Sequence, residues 1–269
     1  MADIDIRLSG ATRVHFIVGD PIAQVKSPQG VTQAFQARGL QAVVVPAHVA
    51  PDALADWLRG VSLAQNVDGV IVTVPHKFAS AALCATLSER AAFLGAVNTL
   101  RRTAGGRWHG DMFDGLGCVQ ALRGHGCDPA GRRALLVGAG GAGTAIAHAL
   151  VLAGVAQLAV HDGDAARRDA LVGRLAGLGR CPVAAGSADP AGFDLVVNAS
   201  PAGMREDDPL PVQAEGLAPG TFVACVVTQP AVTPLIAAAR ARGLDTSTGN
   251  DMFACVRDLM VDFLAEAAA

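Results

Sequence analysis

The sequence predicts an α/β protein of two domains, the first built around a mostly parallel sheet. Three observations predict that class. Short β-branched runs recur along the chain, amphipathic helical stretches separate them, and the alternation restarts after a helical join near residues 111–131 with a strand, a glycine turn and a helix. Strands that alternate with helices pair in parallel, because each helix carries the chain back to the same edge before the next strand begins. No internal repeat or low-complexity linker interrupts the pattern.

In the first half, VHFIVG (Val14 to Gly19) supplies a strand. SPQGVTQAFQARG follows as a helix, with Ser27 as its N-cap, Pro28 as its first residue and Gly39 as its stop. QAVVVPA is a second strand, and PDALADWLRG a helix with Leu54, Trp57 and Leu58 on one face. Residues Val70 to Val74 are β-branched without a break, the composition of a strand covered on both faces. Pro75 ends that strand because it has no N–H to donate. GAVNTLRR and GRWHG close this half as a hairpin, and DGLGCVQALRG is the joining helix.

The second half opens with RRALLVGAGGAGTAIAHALVLAG, a strand, glycine turn and helix, followed by the strand QLAVHD and the amphipathic helix GDAARRDALVGRLAGLG. CPVAAG, DLVVNAS and TFVACVV give three further strands, and TPLIAAARARG another helix. A final helix runs from about Asp251 to Glu266, with Phe253, Val256, Leu259, Met260 and Phe263 at helical spacing.

Composition narrows the function. With 269 residues, 51% apolar and 17% charged, the chain can bury one large core or two ordinary ones. A formal charge of −3 without any basic run argues against nucleic acid, which needs a concentrated positive surface. No apolar run reaches membrane-spanning length uninterrupted, and the opening MADIDIRLSG is acidic and mixed, unlike an export signal. The six cysteines (Cys84, Cys118, Cys127, Cys181, Cys225, Cys255) never form Cys-x-x-Cys and read as small buried hydrophobes of a reduced, cytoplasmic protein. No metal-ligating set is assigned, and no surface in the sequence fixes an oligomeric state. The chain has no tyrosine, which excludes any mechanism that needs one.

The strongest local signal is the loop Gly138-Ala139-Gly140-Gly141-Ala142-Gly143, a Gly-x-Gly-x-x-Gly between a strand and a helix. In that setting the glycines allow a tight turn and a close approach to pyrophosphate, with a helix N-terminus aimed at the phosphates. An ordinary strand–helix turn is the plainer reading of the same residues. Asp162 stands 24 residues after the first glycine, about where an acid bonds the adenine ribose. A carboxylate there repels a 2′-phosphate, so Asp162 favours NAD over NADP; as the start of Asp-Gly-Asp it could also be a solvated turn acid. Lys77 emerges at the carboxyl end of a buried strand, where open α/β sheets bind ligands. A desolvated lysine can exchange protons near neutrality, whereas most lysines simply extend into solvent.

Several segments, in order, resemble the shikimate dehydrogenase family over essentially the whole chain: GDPIAQVKSP, VTVPHK, GAVNTL, GDMFDG, GAGGAG, VNASPAGM, TQPAVTPL and GNDMF. The resemblance implies a substrate-binding and catalytic domain of residues 1–112 plus 246–269 and a Rossmann domain of residues 113–245, with the active site in the cleft between them. It implies reversible hydride transfer between a nicotinamide and a ring hydroxyl of shikimate, quinate or a related cyclic hydroxy acid. Lys77 and Asp114 match the family's catalytic couple. Ser27, Thr73 and Asn98 match pocket residues that contact the substrate's carboxylate and hydroxyls, although Ser27 could equally cap its helix, Asn98 support a turn and Asp114 cap the joining helix. Asn198, Ser200, Pro201, Val226, Gly249 and Met252 match positions lining the nicotinamide half of the cofactor site.

This chain departs from the family pattern at other positions. Val25, Ile71, Thr228 and Val256 stand where the family offers hydrogen bonds to substrate, Cys225 replaces an aspartate, and Met112-Phe113 precede Asp114 in place of Asn-Thr. Those changes point to a ring alcohol less polar than shikimate, or one carrying its polar groups elsewhere. The family's NADP-type Asn-Arg-Thr-x-x-Arg corresponds to Asp162-Gly163-Asp164-Ala165-Ala166-Arg167, so its first arginine is a glycine. That substitution agrees with NAD as the cofactor, and Arg167 and Arg168 are the residues that would admit NADP instead. The rival reading is a non-catalytic NAD-binding sensor or interaction module, which would have no need of the Lys77 and Asp114 pair.

Overall fold

The computed structural model describes residues 8–205 and 207–266, so most of the acidic opening segment considered above lies outside the described residues. The chain divides into two compact units, one of residues up to Phe113 together with those from Arg257 onward, the other Asp114–Val256.

The first unit contains β1 (Arg13–Gly19), α1 (Ser27–Ala37), β2 (Ala42–His48), α2 (Leu54–Val61), β3 (Val67–Val72), α3 (Lys77–Ala82), β4 (Thr86–Leu87), α4 (Glu89–Leu94), β5 (Thr99–Arg102) and β6 (Trp108–Asp111). Its six-stranded sheet runs β2-β1-β3-β5-β6-β4. β1 pairs in parallel with β2 and β3, while β5 is antiparallel to both β3 and β6, as the expected hairpin requires. Val18, Leu54, Leu58, Val70, Val72, Leu100 and Trp108 share one core cluster. Each such aliphatic side chain, fully buried, contributes roughly 1.5–3 kcal/mol.

Two local expectations are revised. β3 lies earlier than the β-branched run suggests, and all six of its residues are buried. It can take in Asp68 because the carboxylate is ion-paired with Arg13 of neighbouring β1. It stops at Val72; the Thr73 N–H still reaches Val18 O at 3.0 Å, but Val74 is 62% exposed. Ser27 is not the N-cap of α1. Lys26 occupies that position without a side-chain cap, and Ser27 is the buried first residue of the helix.

The second unit contains α5 (Asp114–Gly124), β7 (Arg133–Val137), α6 (Gly141–Leu152), β8 (Gln157–His161), α7 (Ala165–Ala176), β9 (Val183–Ala185), β10 (Leu195–Asn198), β11 (Phe222–Cys225), α8 (Pro234–Ala241), β12 (Thr246–Ser247) and the start of α9 (Gly249–Ala265). Its sheet, β12-β11-β10-β7-β8-β9, is parallel throughout. That is the doubly wound Rossmann order, with the reversal of strand order between β7 and β10. Leu135, Val196, Val223, Leu235 and Ile236 lie in its core. Residues 246–256, placed with the first domain from sequence, stay with this unit because β12 extends the sheet at β11.

None of the six cysteines is in a disulfide. Burial pushes the Cys84 and Cys118 thiols up to about 12, the condition of packing groups and not of nucleophiles. Among the described residues, no helix is long and apolar enough to cross a membrane.

Candidate active site

In the first unit, the pairing of β3 with β5 and β6 brings three of the sequence-predicted residues to one end of the sheet. Thr73 follows β3, Asn98 precedes β5, and Ile71 pairs across to Thr99, which pairs in turn with Asp111 at the end of β6. Lys77 is the first residue of α3 and is half-buried. Its carbonyl accepts from Val97 N at 3.0 Å, so the residue beside Asn98 holds the start of that helix. The fourth, Ser27, lies at the start of α1, beyond the loop that leaves β1.

Asn98 is 1% exposed and its backbone is fixed on both sides: its N–H donates to Asp111 O at 2.9 Å and its carbonyl accepts from Val72 N at 2.7 Å. The side-chain Oδ1 accepts from Phe113 N at 3.0 Å and from Thr99 Oγ1 at 3.1 Å. A buried asparagine thus holds the residue directly before Asp114. These bonds tie Asn98 to the segment across the sheet.

Sequence reasoning missed a second clamp on the same segment. Asp111 is buried, and its carboxylate accepts from Ser88 Oγ, from Arg90 Nη2 and, at 2.7 Å, from Met112 N. The Arg90 guanidinium then lies 5.0 Å from the Phe113 ring centre, and Phe113 meets Phe263 of α9 edge-on at 5.3 Å. The substituted Met112-Phe113 pair is therefore built into an aromatic and cationic packing unit. Ile71 is 2% exposed in β3 and adds no polar group.

Asp114 opens α5 in the second unit and is buried. A carboxylate in a first helical turn is stabilised by the exposed N–H groups there. Gly115 explains the Asp-Gly pair: a Cβ at this position would lie 2.1 Å from Ala145 O, so α5 rests directly on the backbone of α6. Val256, at the position expected to offer a hydrogen bond, fills the space beside Gly117 on α5.

The remaining predicted residues gather at the carboxyl ends of β7, β8, β10 and β11 in the second unit. Gly138 has φ 103°, and a Cβ on Gly143 would sit 1.9 Å from Gly138 O, so this turn admits no side chain at either position. Gly140 is the N-cap of α6 with no side-chain cap, the first turn carries no acid, and nothing lies within 4 Å of where a Cβ on Gly140 would be. Gly140, Gly141 and Ala142 are partly exposed, with Ala139 buried behind them. Exposed helix-terminal N–H groups beside an open space suit a diphosphate, and the residues present fit a dinucleotide.

Asn198, at the end of β10, is fully buried and organises the following loop. Its Oδ1 accepts from Ser200 N at 3.1 Å and from Ser200 Oγ at 2.6 Å, and its Nδ2 donates to Ala202 O at 3.1 Å and to Cys225 Sγ at 3.3 Å. Val226 N donates to Asn198 O at 2.9 Å, joining the ends of β10 and β11. Pro201 is exposed, Met252 is half-buried on α9, and Gly249 lies against the carbonyls of Val226 and Val227.

Asp162 is not the bare acid that the sequence suggested. Its carboxylate accepts from Ala139 N at 2.6 Å, Asp164 N at 2.8 Å and Arg167 Nη2 at 2.7 Å. Burial pushes the carboxyl up, but the bonds from Arg167 and the two backbone N–H groups outweigh it and hold the group below the usual carboxylate range. The Asp162 side chain is 7% exposed, whereas that of Arg167 is 52% exposed. Of this pair, the member that solvent reaches is therefore the cation.

Residues 17–100 match the family model for the shikimate dehydrogenase substrate binding domain. The shikimate dehydrogenase (NADP(+)) of Rubrobacter xylanophilus is 41% identical over 251 residues, covering 91% of this chain and 88% of that protein. The enzyme of the same name from Acidiphilium cryptum is 38% identical, covering 91% and 87% respectively. Among solved structures, shikimate 5-dehydrogenase from Listeria monocytogenes, in complex with shikimate and NAD, superimposes with a TM-score of 0.87 at 27% identity over 99% of each chain. These similarities give the non-catalytic alternative no support. They also correct the expectation of NAD over NADP, because the curated relatives, a further one from Rhodospirillum rubrum included, are named for NADP(+). The physical reason for the error is the Asp162–Arg167 pair, in which the repelling carboxylate is neutralised and an arginine is left exposed. With two relatives near 40% identity covered over more than four-fifths of their length, this chain belongs to the shikimate dehydrogenase family.

Proposed function

We propose that this protein is an NADP(H)-linked dehydrogenase that interconverts a ring hydroxyl and ketone on shikimate or a closely related cyclic hydroxy acid. The observation that carries the reading is the convergence of Thr73, Lys77 and Asn98 at one end of the first sheet, beside the doubly clamped segment that leads into Asp114. A bound dinucleotide would supply the hydride acceptor at its nicotinamide; the 138–143 loop would hold its diphosphate, and Arg167 would partner its 2′-phosphate. The Lys77 amine takes the hydroxyl proton during oxidation, the ammonium so formed stabilises the negative charge that develops on oxygen, and the same ammonium returns the proton during reduction. Asp114 accepts a hydrogen bond from a second hydroxyl of the ring and so orients it. Ser27, Thr73 and Asn98 bind the carboxylate and the remaining hydroxyls. The apolar residues at positions 25, 71 and 256 narrow the choice of substrate, since each buried oxygen left without a partner costs about 1–3 kcal/mol.

The test is turnover of shikimate with NADP⁺, followed by the absorbance of the reduced nicotinamide, with quinate in parallel. Lys77→Met should lower kcat by roughly 10²–10⁴-fold, the usual range for a general acid–base group, while NADP⁺ binding is unchanged. A Lys77→Met protein that keeps near-normal turnover would remove Lys77 from this role.

A further inference from the structure

We infer that His76 is a positioning residue for Lys77, acting through a hydrogen bond from its ring to the backbone of the segment after β2. The inference rests on the role proposed for Lys77. His76 is 1% exposed, and its Nε2 lies 2.8 Å from Val49 O. A carbonyl only accepts, so the ring donates and carries its proton on Nε2 in this contact.

The turn between β3 and α3, Thr73 to Lys77, is tied to the sheet by backbone bonds near its start. Thr73 N donates to Val18 O at 3.0 Å, and Val74 O accepts from Asp20 N at 3.0 Å. Pro75 has no N–H to add, and both Val74 and Pro75 are exposed. His76 N closes the turn on Thr73 O at 2.9 Å, and the His76 carbonyl accepts from Ser80 N at 2.8 Å to begin α3. The imidazole then reaches out of this turn to Val49, whose own N–H donates to Gly19 O at 3.3 Å. A single buried side chain thus connects the residue before Lys77 to the ends of β1 and β2. Lys77 itself sits on a six-residue helix and carries a flexible four-carbon stem. The position of its amine therefore depends in part on how firmly the backbone beneath it is held, by Val97 N on the Lys77 carbonyl and by the anchored His76 before it. Misplacement of a reacting group by about 1 Å can cost roughly 10²-fold in rate.

The experiment compares His76→Leu with His76→Gln, using shikimate and NADP⁺. Glutamine places an N–H donor the same number of bonds from the backbone as Nε2, whereas leucine fills the space without a donor. His76→Leu should lower kcat by about 10–100-fold, with a smaller change in KM and no change in NADP⁺ affinity. It should also move the pH dependence of kcat, and His76→Gln should restore both rate and profile. If His76→Leu does not fold, His76→Asn, one bond too short to reach Val49 O, takes its place under the same criteria. A folded variant without the donor that keeps normal kcat overturns the inference, as does equal loss in the glutamine variant with an unmoved pH profile. Lys77→Met separates the two ideas. Full activity in that variant refutes the Lys77 role itself, whereas a dead Lys77→Met beside an active His76→Leu refutes only the positioning role.

Discussion

Replacing Arg167 with alanine tests the charge arrangement at the end of β8 directly. Its guanidinium pairs with Asp162 at 2.7 Å, yet the side chain is 52% exposed and can meet a 2′-phosphate. A hydrogen bond to a charged partner contributes about 1.5–3 kcal/mol, which solvent screening at this exposure reduces to roughly 1–2 kcal/mol. At ~1.4 kcal/mol per factor of ten, NADP⁺ binding should weaken by roughly 5–30-fold. Asp162 keeps its bonds from Ala139 N and Asp164 N, so the glycine turn should survive the change. Its carboxylate would then face the phosphate without a neutralising cation, which places the expected loss toward the upper end. NAD⁺ lacks that phosphate, and its affinity should hardly move. Calorimetric titration of both nucleotides at one fixed ionic strength measures the difference. An NADP⁺ affinity within about twofold of the unmodified protein, or a parallel loss for NAD⁺, would refute the assignment.

Gly163→Arg adds a second cation at the same place. The Gly163 backbone lies outside the left-handed region and nothing stands within 4 Å of a Cβ there, so NADP⁺ should bind about fivefold more tightly, for ~1 kcal/mol from one exposed contact; unchanged affinity in the same titration would count against it. His15 sets a pH limit on the first unit: it is 3% exposed on β1, its ring tilted against that of Phe35 with centres 4.7 Å apart, and neither ring nitrogen has a hydrogen-bond partner among the described residues. Burial lowers its pKa to about 4, with nearby Asp68 opposing and Arg13 adding to the shift, so the unfolded chain, at ~6.5, takes up the proton first. The stability tied to neutral His15 is complete above pH ~6.5 and falls by up to roughly 3 kcal/mol as pH drops toward 4, so His15→Leu should flatten the curve of Tm against pH over that window. An unchanged curve would mean that His15 is not the group responsible.

Much of the fold was legible because its signals are local and repeated. The strand–turn–helix around Gly138, the hairpin at Thr99–Asp111 and the joining helix at Asp114 each carry periodicity, turn chemistry and composition that agree. The two six-residue helices α3 and α4 escaped notice because fewer than two turns cannot establish a period. α4 nevertheless carried end signals: Ser88 accepts from Ala91 N at 3.2 Å, and Gly95 adopts φ 65° at its C-cap. β12 has only two residues, and its pairing with β11 is a tertiary fact that no local pattern encodes. The same holds for the start of β3, where Asp68 looks like a strand breaker until Arg13 is seen beside it.

The candidate site divides along a similar line. A strand end pointed to Lys77 and glycine spacing to the 138–143 loop, because both are properties of a short segment, whereas Asn98 entered only through the resemblance to the family. What a polar group does depends on its partners, and those partners lie elsewhere in the chain. Asn98 spends Oδ1 on Phe113 N, fifteen residues later, and Asn198 spends its amide on a loop and on Cys225. Asp162 has the spacing of an acid that would exclude a 2′-phosphate, but the arginine five residues further on reverses its electrostatic meaning. A carboxylate in such a motif therefore argues for NAD only where no cation within its reach, Arg167 in this chain, compensates it. The i to i+5 spacing from Asp162 to Arg167 is visible in the sequence, where Arg167 already stands as a residue that would admit NADP; the direct pairing of the two is what only the structure shows.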